Sequence, residues 1–301
     1  MKLYCSTDME GVAGVSGWEQ VDARTPHPEY AIYRRYYTLE VAAAIEGARR
    51  AGAREVLVND SHGPMRNLLF DDLPSDIRVI FGNRKPYSMV QGADASFGGA
   101  FFIGYHGAAG ERNAVLCHTY TPSVIYELRL NGLACSEATI NAALLGSYGV
   151  PLLMVTGDRT TVDGVLAQMP WVHGVIVKES IGTLSADSIS PAAAQRAIAD
   201  GAAQAIANAS TGKPFVLEAP IEMRVTLAKT EQAAENCECL PGAGQSMRHI
   251  GQRPGEREDG EADLEPQHVH HIAADRLRHD GALESAQDPG VLLLGNVQVV
   301  E

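Results

Sequence analysis

The sequence lacks both a long apolar run and an excess of basic charge. A membrane-spanning helix needs about 20 consecutive apolar residues, and no stretch approaches that length, so we expect no membrane segment. Lys and Arg number 24 against 37 Asp and Glu, which gives a formal net charge of −13 at pH 7. Nucleic acids and anionic membrane surfaces bind basic footprints, so the charge argues against both as partners.

Cysteine is scarce as well, with five residues that are odd in number and irregularly spaced. No stretch resembling a signal peptide precedes the first strand-like run, and such a pattern is typical of free thiols in a reducing compartment. We therefore expect a cytoplasmic protein. Cys237 and Cys239 lack a second Cys/His pair at zinc-finger spacing, so a metal site is not favoured there.

Short apolar runs bounded by turn residues alternate with Ala-rich stretches of helical character at 38–52 and 136–149. This alternation predicts an α/β fold, with a mostly parallel sheet covered by helices on both faces. Ser190 as an N-cap and Pro191 as the first helical residue predict one more helix. The strand-like runs are KLYCST, EVLVND, AFFIGYH, PLLMVTGD and GVIVKES.

The composition changes past about residue 240, where the chain becomes polar, charged and poor in large apolar residues. It predicts a loop-rich stretch before a last strand-like run, VLLLGNVQVVE. We expect an α/β domain over residues 1–210, which carries the candidate site, and a smaller, partly divergent α+β C-terminal region over 211–301. The histidines of the HVHH sequence at 268–271 are interpreted as solvated side chains.

Acidic and imidazole side chains stand where the predicted strands end. In an open α/β sheet, ligands bind at the carboxyl ends of the strands, so these side chains are candidates for one site. The first strand ends at two carboxylates, and the following strands and one helix start add further groups. The set comprises Asp8, Glu10, His62, His106, His118 and Glu137.

Each of these side chains also has an ordinary structural explanation. A lone histidine at a strand end is more often structural than a ligand, Glu137 suits the positive end of a helix dipole, and Asp60 is as good a turn cap as a ligand. Their conjunction favours a metal site, because carboxylates and imidazoles together suit zinc or manganese. Asp8 and Glu10, two positions apart, face the same side of a strand and can address one metal centre.

Five stretches resemble a known family in order and spacing, the DppA-like D-aminopeptidases, which are zinc-dependent enzymes associated with dipeptide transport. The resemblance runs from residue 1 to about residue 190. It implies a metallo-aminopeptidase that removes N-terminal D-amino acids from short peptides or amides, and a ring-like homodecamer. The stretches are STDMEGVAG, EVLVNDSHGPMRNL, KPYSMVQGAD, FFIGYHG and NGLACSEATINAALLGSYGVPLLMVTGD.

The resemblance also implies two zinc ions per subunit, a device that activates water against an amide. Asp8 would bridge the two ions. Glu10 and His62 would complete the protein ligands of one ion, and His106 and Glu137 those of the other. Manganese or cobalt would accept the same ligands.

His118 matches the family's catalytic histidine, which is described there as a nucleophile. Chemistry favours a role in proton transfer or in stabilising the tetrahedral intermediate, because water activated by metal is the better nucleophile. The stretch between His106 and His118 is one residue longer than the family pattern, and the chain after CLPGA differs from it.

Four further residues are candidates for a supporting role. Asn59 and Ser61 are expected to orient His62 by hydrogen bonding, as metal-binding histidines require. Lys178 and Asp158 end predicted strands and could line the cleft. Lys178 could bind a substrate carboxylate there, or it could be a solvent-facing lysine.

Two other functions stay open at this point. One is a metal-dependent hydrolase of a different small amide. The other is a non-catalytic peptide-binding protein linked to transport, although a binder has no reason to keep a full set of metal ligands.

Overall fold

The computed structural model describes residues 1–24 and 27–229, and the backbone of 294–300. Eleven strands and four α-helices are found in these ranges. The strands are β1 (Lys2–Thr7), β2 (Glu55–Asp60), β3 (Arg78–Ile80), β4 (Gly99–Tyr105), β5 (Ile125–Leu130), β6 (Leu133–Ala134), β7 (Leu152–Asp158), β8 (His173–Gly182), β9 (Ser185–Ser188), β10 (Ile221–Leu227) and β11 (Leu294–Val300). The helices are α1 (Pro28–Arg50), α2 (Glu137–Ser147), α3 (Arg159–Gln168) and α4 (Pro191–Ala207).

Seven strands form the main sheet in the order β3-β2-β1-β4-β7-β8-β9. Every neighbouring pair is parallel except β8 and β9. The five apolar runs of the sequence become β1, β2, β4, β7 and β8. The predicted α/β fold with a mostly parallel sheet is therefore confirmed.

Helices cover both faces of this sheet, as the sequence predicts. Alternate residues of β1 point to opposite faces, so Leu3 and Cys5 pack in one apolar cluster and Tyr4 in another. The first cluster contains α1 and α4, for example Val41 and Ile198. The second contains the buried sides of α2 and α3.

The start of α4 agrees with the prediction from the sequence, whereas the start of α1 does not. Ser190 caps α4 by accepting a hydrogen bond from the backbone of Ala193, with Pro191 in the first position, as predicted. Helix α1 begins at Pro28, well before the alanine-rich stretch that suggested it. His27 caps it, and proline is favoured at a first helical position, so the tyrosine-rich segment after Pro28 is helical as well.

A second sheet of four strands has the order β11-β10-β5-β6. Strand β10 pairs with β5 in the antiparallel direction, so this sheet uses residues on both sides of position 210. The division of the chain into 1–210 and 211–301 stays a prediction. The CEC and HVHH sequences lie outside the described residues. No helix in the described ranges is long and apolar enough to cross a membrane.

Candidate metal centre

Three adjacent strands place most of the candidate side chains. Strands β2, β1 and β4 are neighbours, and their carboxyl ends lead directly into the segments that carry the candidate residues. The first residue of α2 adds a carboxylate, and the irregular segment between β4 and β5 adds an imidazole. All six side chains are buried, and none is more than 8% exposed. They are Asp8, Glu10, His62, His106, His118 and Glu137.

The turn that follows β1 presses closely against β4. The Asp8 amide donates to the carbonyl of Ile103 at 2.8 Å, and the Gly11 amide donates to the carbonyl of Gly104 at 2.8 Å. A Cβ at Gly11 would overlap the carbonyl oxygen of Tyr105, so a side chain is not tolerated there. This close approach brings the Asp8 and Glu10 carboxylates next to the residues that follow β4.

Each of the three histidines has one ring nitrogen next to a backbone carbonyl. His62 Nε2 lies 2.8 Å from the carbonyl of Val21. His106 Nδ1 lies 2.9 Å from the carbonyl of Gly107, and His118 Nδ1 lies 2.7 Å from that of Leu116. A carbonyl only accepts, so these nitrogens carry the protons of the neutral rings. The opposite nitrogen of each ring is then an acceptor that faces carboxylates.

The carboxylate oxygens face those acceptor nitrogens at short range. His62 Nδ1 lies 3.1 Å from Asp8 Oδ1 and 2.9 Å from Glu10 Oε2. His106 Nε2 lies 3.3 Å from Asp8 Oδ2 and 3.5 Å from Glu137 Oε1. Two acceptors at this separation repel unless a proton or a cation lies between them.

Two buried atoms show that hydrogen bonding among the described residues leaves this cluster incomplete. Asp8 Oδ2 and His106 Nε2 have no hydrogen-bond partner there, although they lie close to each other. Buried polar groups without partners are costly, so two such atoms side by side indicate a binding position for a further group. A divalent cation fits, because metal-binding histidines characteristically donate their second N–H to a backbone carbonyl.

The ligand atoms fall into sets that could each hold one ion, and the atoms of each set lie within 4.8 Å of one another. One set is Asp8, Glu10 and His62, and another is Asp8, His106 and Glu137. A third combines Glu10 with His106 and His118. The first two sets share Asp8, whose two oxygens face different histidines.

Burial and neighbouring charges shift the pKa values of the cluster in opposite directions. Burial and the neighbouring Glu10 raise the pKa of Asp8 to about 7. Burial also favours a neutral Glu10, but the charge and hydrogen bond of His62 hold the pKa of Glu10 well below its usual range. Burial favours neutral imidazoles too, but the neighbouring carboxylates raise the pKa values of His62 and His106 well above the usual range. Protons can thus occupy the positions between nitrogen and oxygen that a metal would take.

His118 stands apart from the other two histidines. Its ring stacks on that of His106, with centroids 4.0 Å apart and planes at 9°. Its Nε2 lies 3.8 Å from Glu137 Oε1 and 4.0 Å from Glu10 Oε1, farther than the other two histidines lie from their carboxylates. Burial and the neighbouring His106 lower the pKa of His118, so the ring is kept neutral. The stretch between His106 and His118 is one residue longer than the family pattern, but His118 still lies beside the cluster.

The expected supporting roles of Asn59 and Ser61 are not what the structure shows. Asn59 bonds to the Ser88 carbonyl and to Lys85, and Ser61 bonds to Ser6 and to backbone carbonyls. Neither side chain forms a hydrogen bond with the ring of His62, whose partners are Asp8, Glu10 and the Val21 carbonyl. The backbone carbonyl of Val21 orients that ring instead, and a main-chain acceptor has no residue type by which the sequence could reveal it.

Lys178 neither lines an open cleft nor faces solvent, so both interpretations of it from the sequence are wrong. It is 2% exposed, and its Nζ donates to the carbonyls of Glu10, Val12 and Val15. No donor is left for a substrate carboxylate, because an ammonium group has three. Lys178 therefore holds the turn that carries Glu10.

Asp158 and Asp60 are structural caps. Asp158 Oδ1 caps α3 through the backbone and hydroxyl of Thr161, and its Oδ2 accepts from the amide of Val115 and the hydroxyl of Ser180. The carboxylate of Asp60 accepts from the amides of Asn67 and Leu68. Asp158 thus fixes the segment that leads to His118, and it does not line the cleft.

The fold and the cluster together define a class of protein. Buried carboxylates and imidazoles at the carboxyl ends of a parallel sheet, with a neutral histidine beside them, are the features of a metal-dependent hydrolase.

Comparison with known proteins identifies a family within this class. The sequence pattern of the peptidase M55 family, described as D-aminopeptidase, matches residues 1–250. A D-aminopeptidase of Bacillus subtilis (strain 168) is 36% identical over 245 residues, which cover 80% of this chain and 86% of the relative. The chain belongs to this family of peptide hydrolases, as the resemblance implied.

A solved structure agrees with the family assignment. It is that of the Zn-dependent D-aminopeptidase DppA from Bacillus subtilis, described as a self-compartmentalizing protease. The two structures superpose with a TM-score of 0.78 at 34% identity, covering 82% of this chain and 88% of the other. The similarity to the family extends beyond the 190 residues that carried the resemblance.

Proposed function

We propose that this chain is a two-zinc D-aminopeptidase that removes N-terminal D-amino acids from short peptides or amides. One observation carries the two-metal part of the proposal. The two oxygens of Asp8 face two different histidines, at 3.1 Å for His62 and 3.3 Å for His106. A carboxylate placed in this way can bridge two ions.

The same geometry supports the ligand assignment that the resemblance implies. Glu10 and His62 would hold one ion with one Asp8 oxygen, and His106 and Glu137 would hold the other with the second oxygen. The carbonyl acceptors of Val21 and Gly107 fix the two rings so that their free nitrogens face the metal positions. Zinc is the expected metal, because a mixed set of nitrogen and oxygen ligands suits it and because the related DppA is zinc-dependent.

The metal pair, when bound, would lower the pKa of water and polarise the scissile carbonyl. The residues of the chain supply what remains. His118 is kept neutral by its surroundings, and Leu116 keeps its free Nε2 facing the carboxylate side of the cluster. His118 Nε2 would accept the proton of the attacking water and return it to the leaving amine, which is the role of a general base and acid.

The assembly is proposed by analogy with the relative that is described as self-compartmentalizing. We infer that this chain also forms a homo-oligomer, as a ring-like decamer whose enclosed chamber admits only short peptides. The expected location is cytoplasmic. The oligomeric state can be measured by light scattering on the full chain, and a monomer would contradict this part of the proposal.

A chiral substrate panel tests the proposed function. Matched D- and L-dipeptides and amino-acid amides are incubated with the protein as purified, after removal of metal by a chelator, and after zinc is restored. We expect release of N-terminal D-amino acids, its loss with chelator and its recovery with zinc. Equal activity in the metal-stripped protein would contradict the proposal.

The same panel separates the alternatives. Hydrolysis of amides with no preference for peptides or for D-configuration would indicate a different small-amide hydrolase. Binding of dipeptides without turnover, in protein that contains almost no zinc, would indicate a transport-linked binding protein.

A further inference from the structure

Trp18 is the aromatic neighbour of the proposed catalytic histidine. Its ring meets that of His118 edge to face, with centroids 5.4 Å apart and planes at 61°. His118 is only 8% exposed, whereas Trp18 is 38% exposed. A large apolar surface that reaches solvent therefore lies directly beside the buried histidine.

Hydrogen bonds hold the turn that carries Trp18 in one place. Gln20 Oε1 accepts from the amides of Ser16 and Gly17 at 2.7 and 2.9 Å. The Trp18 carbonyl accepts from the amide of Asp22 at 2.8 Å. The Gln20 side chain also donates to Glu29 of α1 at 2.9 Å. The indole is thus carried on a turn whose backbone is already ordered before a substrate binds.

The position of Trp18 indicates which part of a substrate it meets. Under the proposed function, His118 returns a proton to the leaving amine, so the leaving residue lies on the side of His118. Trp18 is on that same side. A side chain on the leaving residue would then contact the exposed indole, whereas the side chain of the N-terminal residue lies beyond the scissile bond.

We propose that Trp18 is a specificity residue that packs against an apolar or aromatic side chain on the C-terminal side of the scissile bond. The inference rests on the proposed function. The chemical class it selects is D-peptides whose leaving residue has an apolar side chain, because burial of apolar surface against an indole is favourable and a polar side chain gains less.

The test compares three substrates that share an N-terminal D-alanine. They are D-alanine amide, the dipeptide D-alanyl-glycine (the glycine peptide) and the dipeptide D-alanyl-phenylalanine (the phenylalanine peptide). For Trp18→Ala, we expect KM for the phenylalanine peptide to rise on the order of tenfold, which is the scale of an apolar pocket contact. Any change in KM for the amide and the glycine peptide should be smaller, so the KM ratio of the phenylalanine peptide to the glycine peptide should rise on the same scale, while zinc content stays unchanged. Trp18→Phe, which keeps a ring on His118, should show a smaller rise for the phenylalanine peptide alone.

The other tryptophan supplies a matched control. Trp171 lies just before the amino end of β8, whereas the cluster lies at the carboxyl ends of the parallel strands, and Trp171→Ala should leave the KM ratios as they are. An equal loss on all three substrates in the Trp18 variants would mean that Trp18 only positions His118, which overturns the inference. Unchanged KM values would overturn it too, while the proposed function stands. Failure of the unmodified protein to hydrolyse any of the three would instead contradict the proposed function.

Discussion

Lys178 Nζ lies 2.5 Å from the backbone carbonyl oxygen of Glu10. Its two other donors reach the carbonyls of Val12 and Val15 at 3.0 and 2.8 Å. In the same turn, the Ala13 amide donates to Glu40 Oε1 at 2.9 Å. A buried lysine from β8 and a buried glutamate from α1 thus hold the turn after Glu10 from inside the protein.

The first prediction concerns this lysine. Lys178→Met should remove a donor from three buried carbonyls, of which only that of Val12 keeps another, the Val15 amide. The turn should loosen, because unpaired buried polar groups are costly. We expect zinc to bind more weakly at the position held by Glu10 and His62, with about one ion per chain retained after dialysis. Zinc per chain is measured by mass spectrometry. Glu179→Gln is the neighbouring control, since Glu179 pairs with Arg159 at the surface, and its zinc content should not change. Full zinc retention in Lys178→Met would contradict the role assigned to Lys178.

The second prediction separates catalysis from metal binding. His118 lies beside the cluster, and it belongs to neither of the two ligand sets that share Asp8. His118→Ala should keep both zinc ions and lower kcat by about 10²–10⁴-fold, which is the typical contribution of general acid–base catalysis. Zinc content and kcat are measured on the same preparation. Loss of a zinc ion in this variant would instead make His118 a ligand, in the third set with Glu10 and His106.

The third prediction uses the pH dependence of stability. Burial raises the pKa of Glu40 to about 7 from 4.5, although the Ala13 amide and Lys178 act in the opposite direction. The unfolded chain therefore loses this proton at lower pH than the folded protein does. The contribution of Glu40 to stability is complete below pH 4.5 and is lost as the pH rises to 7.

Glu40→Gln removes that dependence and keeps an acceptor for Ala13. Relative to the unmodified protein, the variant should gain up to about 3 kcal/mol of unfolding free energy between pH 5 and pH 8. Urea denaturation in the presence of a chelator measures the difference at each pH. Glu46→Gln, an exposed change on the same helix, should show no such trend. A constant difference between Glu40→Gln and the unmodified protein would show that Glu40 is not a buried acid of this kind.

The central strands and the cluster could be predicted from the sequence because both leave local marks. Apolar runs such as EVLVND define the strands, and carboxylates or histidines directly after them define the site. The strands of the second sheet show weaker sequence patterns. Strand β5, IYELRL, alternates apolar and polar residues over only six positions, and its partner β10 is about 90 residues away in the sequence. Such pairings depend on tertiary contacts that no local pattern records.

The errors about supporting residues have a different physical origin. Asn59 and Ser61 are near His62 in sequence, but their side chains face the Ser88 and Met89 carbonyls. The groups that do orient the ring and the turn are the carbonyl of Val21 and the ammonium of Lys178. A carbonyl is present in every residue, and a lysine at a strand end gives no indication whether it turns inward. Only the folded arrangement shows these two contacts.

The most direct test of the account is the number of zinc ions per chain in three proteins: the unmodified chain, Asp8→Ala and Glu10→Ala. The two oxygens of Asp8 face His62 and His106, whereas Glu10 lies at 2.9 Å from His62 and at 4.0 Å from His118, so the two losses should differ. We predict about two ions in the unmodified chain, almost none in Asp8→Ala and about one in Glu10→Ala, by mass spectrometry after exhaustive dialysis. A single ion in the unmodified chain, or equal losses in the two variants, would contradict a metal pair bridged by Asp8.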